Sequence, residues 1–166
     1  GPLTMILKRT DKIPPCVSAG LDTVAVRMPL DTTARDIIAA SVPLAAPSAN
    51  TSGRPSPTSA ECVIGDLDGK IDAVVMGKDC AVGVESTVIT LVTDPPKILR
   101  PGAVTPEQLK TVIPNIQLDK AVLSMPAEGE KVSSPGMKYK HYAPKARVVI
   151  VDANRKDPCP QRVCGS

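Results

Sequence analysis

Residues 43–58 read PLAAPSANTSGRPSPT. An apolar run, Val42-Pro43-Leu44-Ala45-Ala46, leads into them with the pattern of a short buried strand and is cut off at Pro47. From Pro47 to Thr58 almost nothing suits a core: Ser48, Asn50, Thr51, Ser52, Arg54, Ser56 and Thr58 alternate with Gly53 and further prolines. Hydroxyls and carboxamides both donate and accept hydrogen bonds, and proline stiffening lowers the ordering cost of using them on a ligand. Such a loop suits a small polyoxygenated molecule, with Arg54 adding charge at the rim. The same composition also suits a solvent-exposed turn cluster.

Working outward, strand and helix patterns alternate on both sides, which points to an α/β fold. Upstream, Leu3-Thr4-Met5-Ile6-Leu7 reads as a strand, as does Thr23-Val24-Ala25-Val26-Arg27-Met28-Pro29. Ligands of open α/β sheets collect beyond the carboxyl ends of strands, so Arg27 is a candidate anion anchor there, by a bidentate guanidinium grip. A solvated strand-end arginine is the plain alternative. Asp31-Thr32-Thr33 supplies a helix cap, and the helix continues from Ala34 to Ser41 with Ile37, Ile38 and Ala39 as its inward face.

Downstream, Thr58 with Glu61 three residues on has the capping-box spacing for a helix running to Leu67, whose first amides would be open to a phosphate. Ile71-Asp72-Ala73-Val74-Val75-Met76-Gly77 reads as a strand with a glycine stop. The run from Val82 to Leu91 places a glycine, an acid and two hydroxyls ahead of β-branched residues. Lys97-Ile98-Leu99-Arg100 again sets an arginine at a strand end, before Pro101-Gly102. Thr105-Pro106-Glu107-Gln108 then opens a helix with a threonine cap and proline in the first turn.

Phe and Trp are absent, so the core is aliphatic, and the only aromatics are Tyr139 and Tyr142. No run approaches the roughly 18 apolar residues of a membrane span, and no signal-peptide pattern is present, which points to a cytoplasmic chain. A net charge of +3 and a pI near 8.6 are too mild to announce nucleic-acid binding. Five scattered cysteines without a CxxC pair support neither a zinc site nor a disulfide framework. No Ser-His-Asp set and no GxxxxGK[ST] loop is present, so positioning and charge neutralisation are expected to carry any chemistry.

Four segments in order carry a resemblance. Ala46-Pro47-Ser48-Ala49-Asn50-Thr51-Ser52-Gly53 resembles the Ser-x-Asn signature of the YrdC-like threonylcarbamoyl-AMP synthases. Gly83-Val84-Glu85-Ser86-Thr87-Val88 resembles the second signature of that family, and Arg100-Pro101-Gly102 the third. Ser134-Pro135-Gly136-Met137-Lys138-Tyr139-Lys140-His141-Tyr142-Ala143-Pro144 resembles the inter-domain linker of the longer, two-domain members.

The resemblance implies a YrdC-like open, twisted mixed sheet with flanking helices. Residues 1–115 would be a partial catalytic domain, 116–145 a linker or lid, and 146–166 the beginning of a second α/β domain. The earlier part of the catalytic domain, with its Lys-x-Arg element, would precede Gly1. The implied reaction joins L-threonine, bicarbonate and ATP, with Mg2+ brought in by ATP and no protein-bound metal. The product is the donor for threonylcarbamoylation of tRNA, handed on to tRNA or a tRNA-modifying transferase complex. Arg27, Ser48 and Ser86 are assigned to the threonine side, and Thr23, Asn50, Thr58 and Arg100 to the nucleotide side. Lys138, Tyr139, His141 and Tyr142 are assigned to the lid. The rival is an RNA-binding module without catalysis, or an inactive fragment of the enzyme.

Overall fold

The structure, a computed structural model, describes residues 1–52 and 54–123. Its frame is a five-stranded mixed sheet in the order β2-β1-β3-β4-β5. The strands are β1 (Leu3–Lys8), β2 (Thr23–Val26), β3 (Thr87–Thr90), β4 (Lys97–Arg100) and β5 (Gln117–Leu118). β1 runs antiparallel to β2 and parallel to β3, β3 antiparallel to β4, and β4 parallel to β5. The helices are α1 (Thr32–Ala39), α2 (Ala60–Leu67), α3 (Pro106–Val112) and α4 (Lys120–Leu123).

The core lies under β3 and β4. Ile89 and Ile98, each 1% exposed, meet Leu109 of α3 and Ile116, with Leu3, Met5, Val104 and Ile113 packed around them. Burying such side chains supplies about 1.5–3 kcal/mol apiece. Helix α3 starts where the sequence places it. Thr105 accepts from the Gln108 amide at 3.3 Å while the Gln108 carboxamide accepts from the Thr105 amide at 2.9 Å, a complete capping box. Ile116 is buried and β5 pairs with β4, so the sheet runs past residue 115 and on to the Lys97–Asp119 ion pair at 3.4 Å.

Elsewhere the structure corrects the sequence pattern. Residues 42–46 and 71–77 form no strand, and Val42, Leu44, Val75 and Met76 are all exposed. Helix α1 forms on its Asp31 cap, at 2.8 Å from the Ala34 amide, yet buries none of its residues, and Ile37 of the expected inward face is exposed. Helix α2 begins one residue later than the Thr58 box requires. Its N-cap is Ser59, without a side-chain cap bond; the Ser59 hydroxyl turns to the Cys62 sulfur at 3.5 Å, and the Glu61 carboxyl is held below its ordinary pKa first by its own backbone amide and then by the Ser59 hydroxyl. The Thr58 carbonyl instead accepts from the Cys80 amide. Among the described residues no helix is long and apolar enough to cross a membrane.

Candidate active site

Four strand ends meet at one edge of the sheet. β1 and β3 begin there, and the antiparallel β2 and β4 finish there. Arg27 follows the last residue of β2, Ser86 precedes the first of β3, and Arg100 closes β4. In register, Thr4 faces Val88 and Val88 faces Arg100, while Met5 faces Val26. With strands about 4.8 Å apart, the backbone at Arg27 stands roughly 14 Å from that at Arg100, with Thr4 and Ser86 between them. The Arg27 side chain lies along Gly1, its Cδ 3.3 Å from the point where a Cβ on that glycine would stand.

The turns before β3 and after β4 are held by backbone approach. A Cβ on Gly102 would lie 2.5 Å from the Glu85 carbonyl oxygen and 2.6 Å from the Thr87 nitrogen, so only glycine lets the two main chains come this close. Thr87 is fully buried, and its Oγ1 donates to the Val104 carbonyl at 2.8 Å and accepts from the Val104 amide at 3.1 Å. One hydroxyl thereby satisfies both polar groups of a facing residue.

On this frame the Arg100 guanidinium is fixed. Its Nε and Nη2 donate to the Ser86 carbonyl at 3.1 and 2.9 Å, Nη2 reaches Ser86 Oγ at 3.2 Å, and Nη1 pairs with Glu85 Oε2. Ser86 Oγ is also 2.8 Å from Thr4 Oγ1. The other Glu85 oxygen accepts from Ser56 Oγ at 3.0 Å. A continuous polar chain therefore runs Thr4–Ser86–Arg100–Glu85–Ser56, from the sheet into the hydroxyl-rich loop.

The loop is anchored on its other side by α2. Arg54 Nη1 meets Asp66 Oδ1 at 2.5 Å, and the Thr51 amide donates to Asp66 Oδ2 at 3.3 Å. Asn50 Nδ2 donates to the Thr51 and Arg54 carbonyls, each at 3.0 Å, leaving its buried Oδ1 without a partner among the described residues. Between loop and helix, Arg54, Ser56, Thr58, Cys62 and Asp66 border an open depression of about 440 Å³.

The structure thus brings Arg27, Ser86 and Arg100 to one end of the sheet. Ser48, Asn50 and Thr58 stand on the loop, and no hydrogen bond joins them to Ser86 or Arg100 among the described residues; Ser56 and Glu85 make that link. Ser48 and the Thr58 side chain are exposed. Thr23 is at the opposite end of β2, paired with Lys8, about 13 Å along the strand from the Thr4 level. Lys138, Tyr139, His141, Tyr142 and the 146–166 segment lie outside the described residues. Sequence reasoning gave no role to Thr4, Ser56, Glu85 or Thr87. The only signal for them was an acid and hydroxyls inside motifs already singled out. No group of His, Cys, Asp and Glu suited to a metal ion occurs among the described residues.

An open mixed sheet with a guanidinium-and-hydroxyl cluster at one end, faced by a Ser/Asn loop, defines the class of YrdC-like α/β domains. The Sua5–YciO–YrdC family profile, described as "Telomere recombination", matches residues 1–102, and the profile described as "Threonylcarbamoyl-AMP synthase, C-terminal domain" matches residues 104–162. The chain is 47% identical over 156 residues to the threonylcarbamoyl-AMP synthase of Pyrococcus abyssi, the match covering 93% of this chain and 45% of that protein. It is 49% identical to the Bacillus subtilis threonylcarbamoyl-AMP synthase, covering 93% and 44%. The crystal structure of P. abyssi Sua5 complexed with L-threonine is similar with a TM-score of 0.78 at 48% identity, covering 88% of this chain and 43% of that one. The chain belongs to the YrdC-like threonylcarbamoyl-AMP synthase family, and it spans less than half the length of these relatives.

Proposed function

We propose that this chain carries the Ser86–Arg100 part of a site that forms L-threonylcarbamoyladenylate and diphosphate from L-threonine, bicarbonate and ATP. The supporting observation is the Arg100–Ser86–Glu85 cluster, set by backbone contacts at the sheet end where the family signatures fall. The relative solved with L-threonine supports an amino-acid subsite. In this reading Arg27, Ser48 and Ser86 serve the amino acid, and Asn50, Thr58 and Arg100 the nucleotide. Thr23, at the far end of β2, belongs to the nucleotide side only for a ligand reaching along that strand. The unpartnered Asn50 Oδ1 is an acceptor, so it takes a ribose hydroxyl or an adenine amino group rather than a phosphate oxygen.

The chemistry is positioning and charge neutralisation. Arg100 offers its guanidinium to phosphate oxygens as charge develops toward the leaving diphosphate, and Mg2+ arrives bound to ATP. Lys138, Tyr139, His141 and Tyr142 would close over the ligands. The product would serve a tRNA-modifying transferase in the cytoplasm. A diphosphate-release assay with ATP, L-threonine and bicarbonate, run on this chain and on one of full family length, tests the activity. Release that needs all three substrates in the longer chain is expected; none in either chain refutes it. Arg100→Ala is expected to weaken ATP binding by about 1.5–3 kcal/mol by calorimetry, the worth of a hydrogen bond to a charged group. Unchanged affinity removes Arg100 from the nucleotide side.

A further inference from the structure

An arginine has five N–H donors in a fixed planar fork. Those of Arg100 are largely engaged by the chain: Nε and Nη2 by Ser86, and Nη1 by Glu85. The two kinds of contact differ in what a ligand can do to them. The Ser86 bonds go to a carbonyl and hydroxyl of a buried residue, and Gly102 presses the same turn from behind, so they are part of the frame. The Glu85 carboxylate is about a third exposed, as is Arg100, and its second oxygen has an independent anchor on Ser56. An anion gains a two-point grip on this guanidinium only through the Nη1 side that Glu85 covers.

We infer that Glu85 is the resident anion of Arg100, a carboxylate that keeps the guanidinium aligned while the site is empty and that an incoming phosphate group displaces. This rests on the reading of Arg100 as a phosphate-binding group. Displacement removes an ion pair and leaves two like charges, carboxylate and phosphate, beside one guanidinium. Glu85 therefore lowers anion affinity while fixing where the anion lands. Its hold on Ser56 makes the exchange felt in the hydroxyl-rich loop.

Calorimetric titration of inorganic diphosphate, and separately of ATP, tests this in wild type, Glu85→Gln, Arg100→Ala and the double variant. Glutamine keeps an acceptor for Ser56 and for Nη1 but no charge. The Arg100 Nε–Hε resonance, dispersed in wild type and in Glu85→Gln alike, reports that the Ser86 anchors persist. Glu85→Gln is expected to tighten diphosphate binding about two- to fivefold, the range set by the modest worth of a partly exposed ion pair, and the gain is expected to vanish when Arg100 is also alanine. Weaker or unchanged binding in Glu85→Gln, including no binding by either protein, overturns the inference. So does a gain that survives loss of Arg100, which would be a general charge effect. Because binding is read without turnover, failure of the diphosphate-release assay refutes the proposed activity and leaves the exchange standing.

Discussion

The sheet end around β3 and β4 and the stretch from Val42 to Val84 carry the same kind of residues and fold differently. In the first, Ile89 and Ile98 are 1% exposed, strands pair on both sides, and a wholly buried threonine hydroxyl bridges the turns. In the second, the β-branched Val75 and the unbranched, equally apolar Met76 are 67% and 65% exposed, and no ladder forms among the described residues. Helices α1 and α2 do form in or beside that stretch, because a helix closes its hydrogen bonds within itself. A strand draws them from a neighbour, and residues 42–46 and 71–77 have none among the described residues. An apolar alternation states a willingness to pair; whether it becomes a strand depends on who stands beside it.

That contrast can be broken by four substitutions. Ile98→Ala should cost the most, about 3–4 kcal/mol in denaturant unfolding, since it opens a cavity in the central cluster; a cost below that of an ordinary surface change would show that the core is not where the packing places it. Gly102→Ala is expected to cost about 3 kcal/mol, near the top of the overpacking range, because the atoms in its way are backbone and have nowhere to retreat. The same variant should shift the Arg100 Nε–Hε resonance, tying the damage to the turn rather than to helix α3. Thr105→Ala should cost about 1 kcal/mol through loss of the helix cap, measured the same way. Val75→Ser should change stability by less than about 0.5 kcal/mol, as an exposed site outside any ladder does. A loss comparable with Ile98→Ala would mean that residues 71–77 are packed in solution and would erase the contrast.

Part of this is legible in the amino-acid sequence. The caps at Asp31 and Thr105 are local bargains between neighbouring residues, and both formed where the letters place them. Leu3–Leu7, Thr23–Pro29 and Lys97–Arg100 are short, largely apolar runs that stop at polar or proline-bearing turns, and strands form there at Leu3–Lys8, Thr23–Val26 and Lys97–Arg100. Thr58 and Glu61 had the right spacing for a box, but Ser59 beside them competes for the same helix start. That the sheet is open and mixed was implied only by the family resemblance, and its strand order was not read from the sequence at all, because nothing local in β1 says that it lies between β2 and β3. At the site, Ser86 and Arg100 came from signature motifs, and their direct contact needed the fold. Glu85 has no legible role in the sequence, since an acid beside two hydroxyls reads equally well as a solvated strand edge. Its meaning depends on Arg100 and Ser56, at 15 and 29 residues' separation.

Thr87, whose hydroxyl holds Val104, opens β3 one residue before the β3–β4 register slips between Val88 and Ile89. Replacing it by valine would keep the shape and orphan two main-chain groups at once, whereas serine would keep both bonds. Beside the close approach at Gly102, the spacing between the two signature turns therefore rests on one oxygen atom sealed away from solvent. Changes in ionic strength or in nearby surface residues should leave that spacing untouched, so tuning of the ligand end must come through the groups hung on the scaffold.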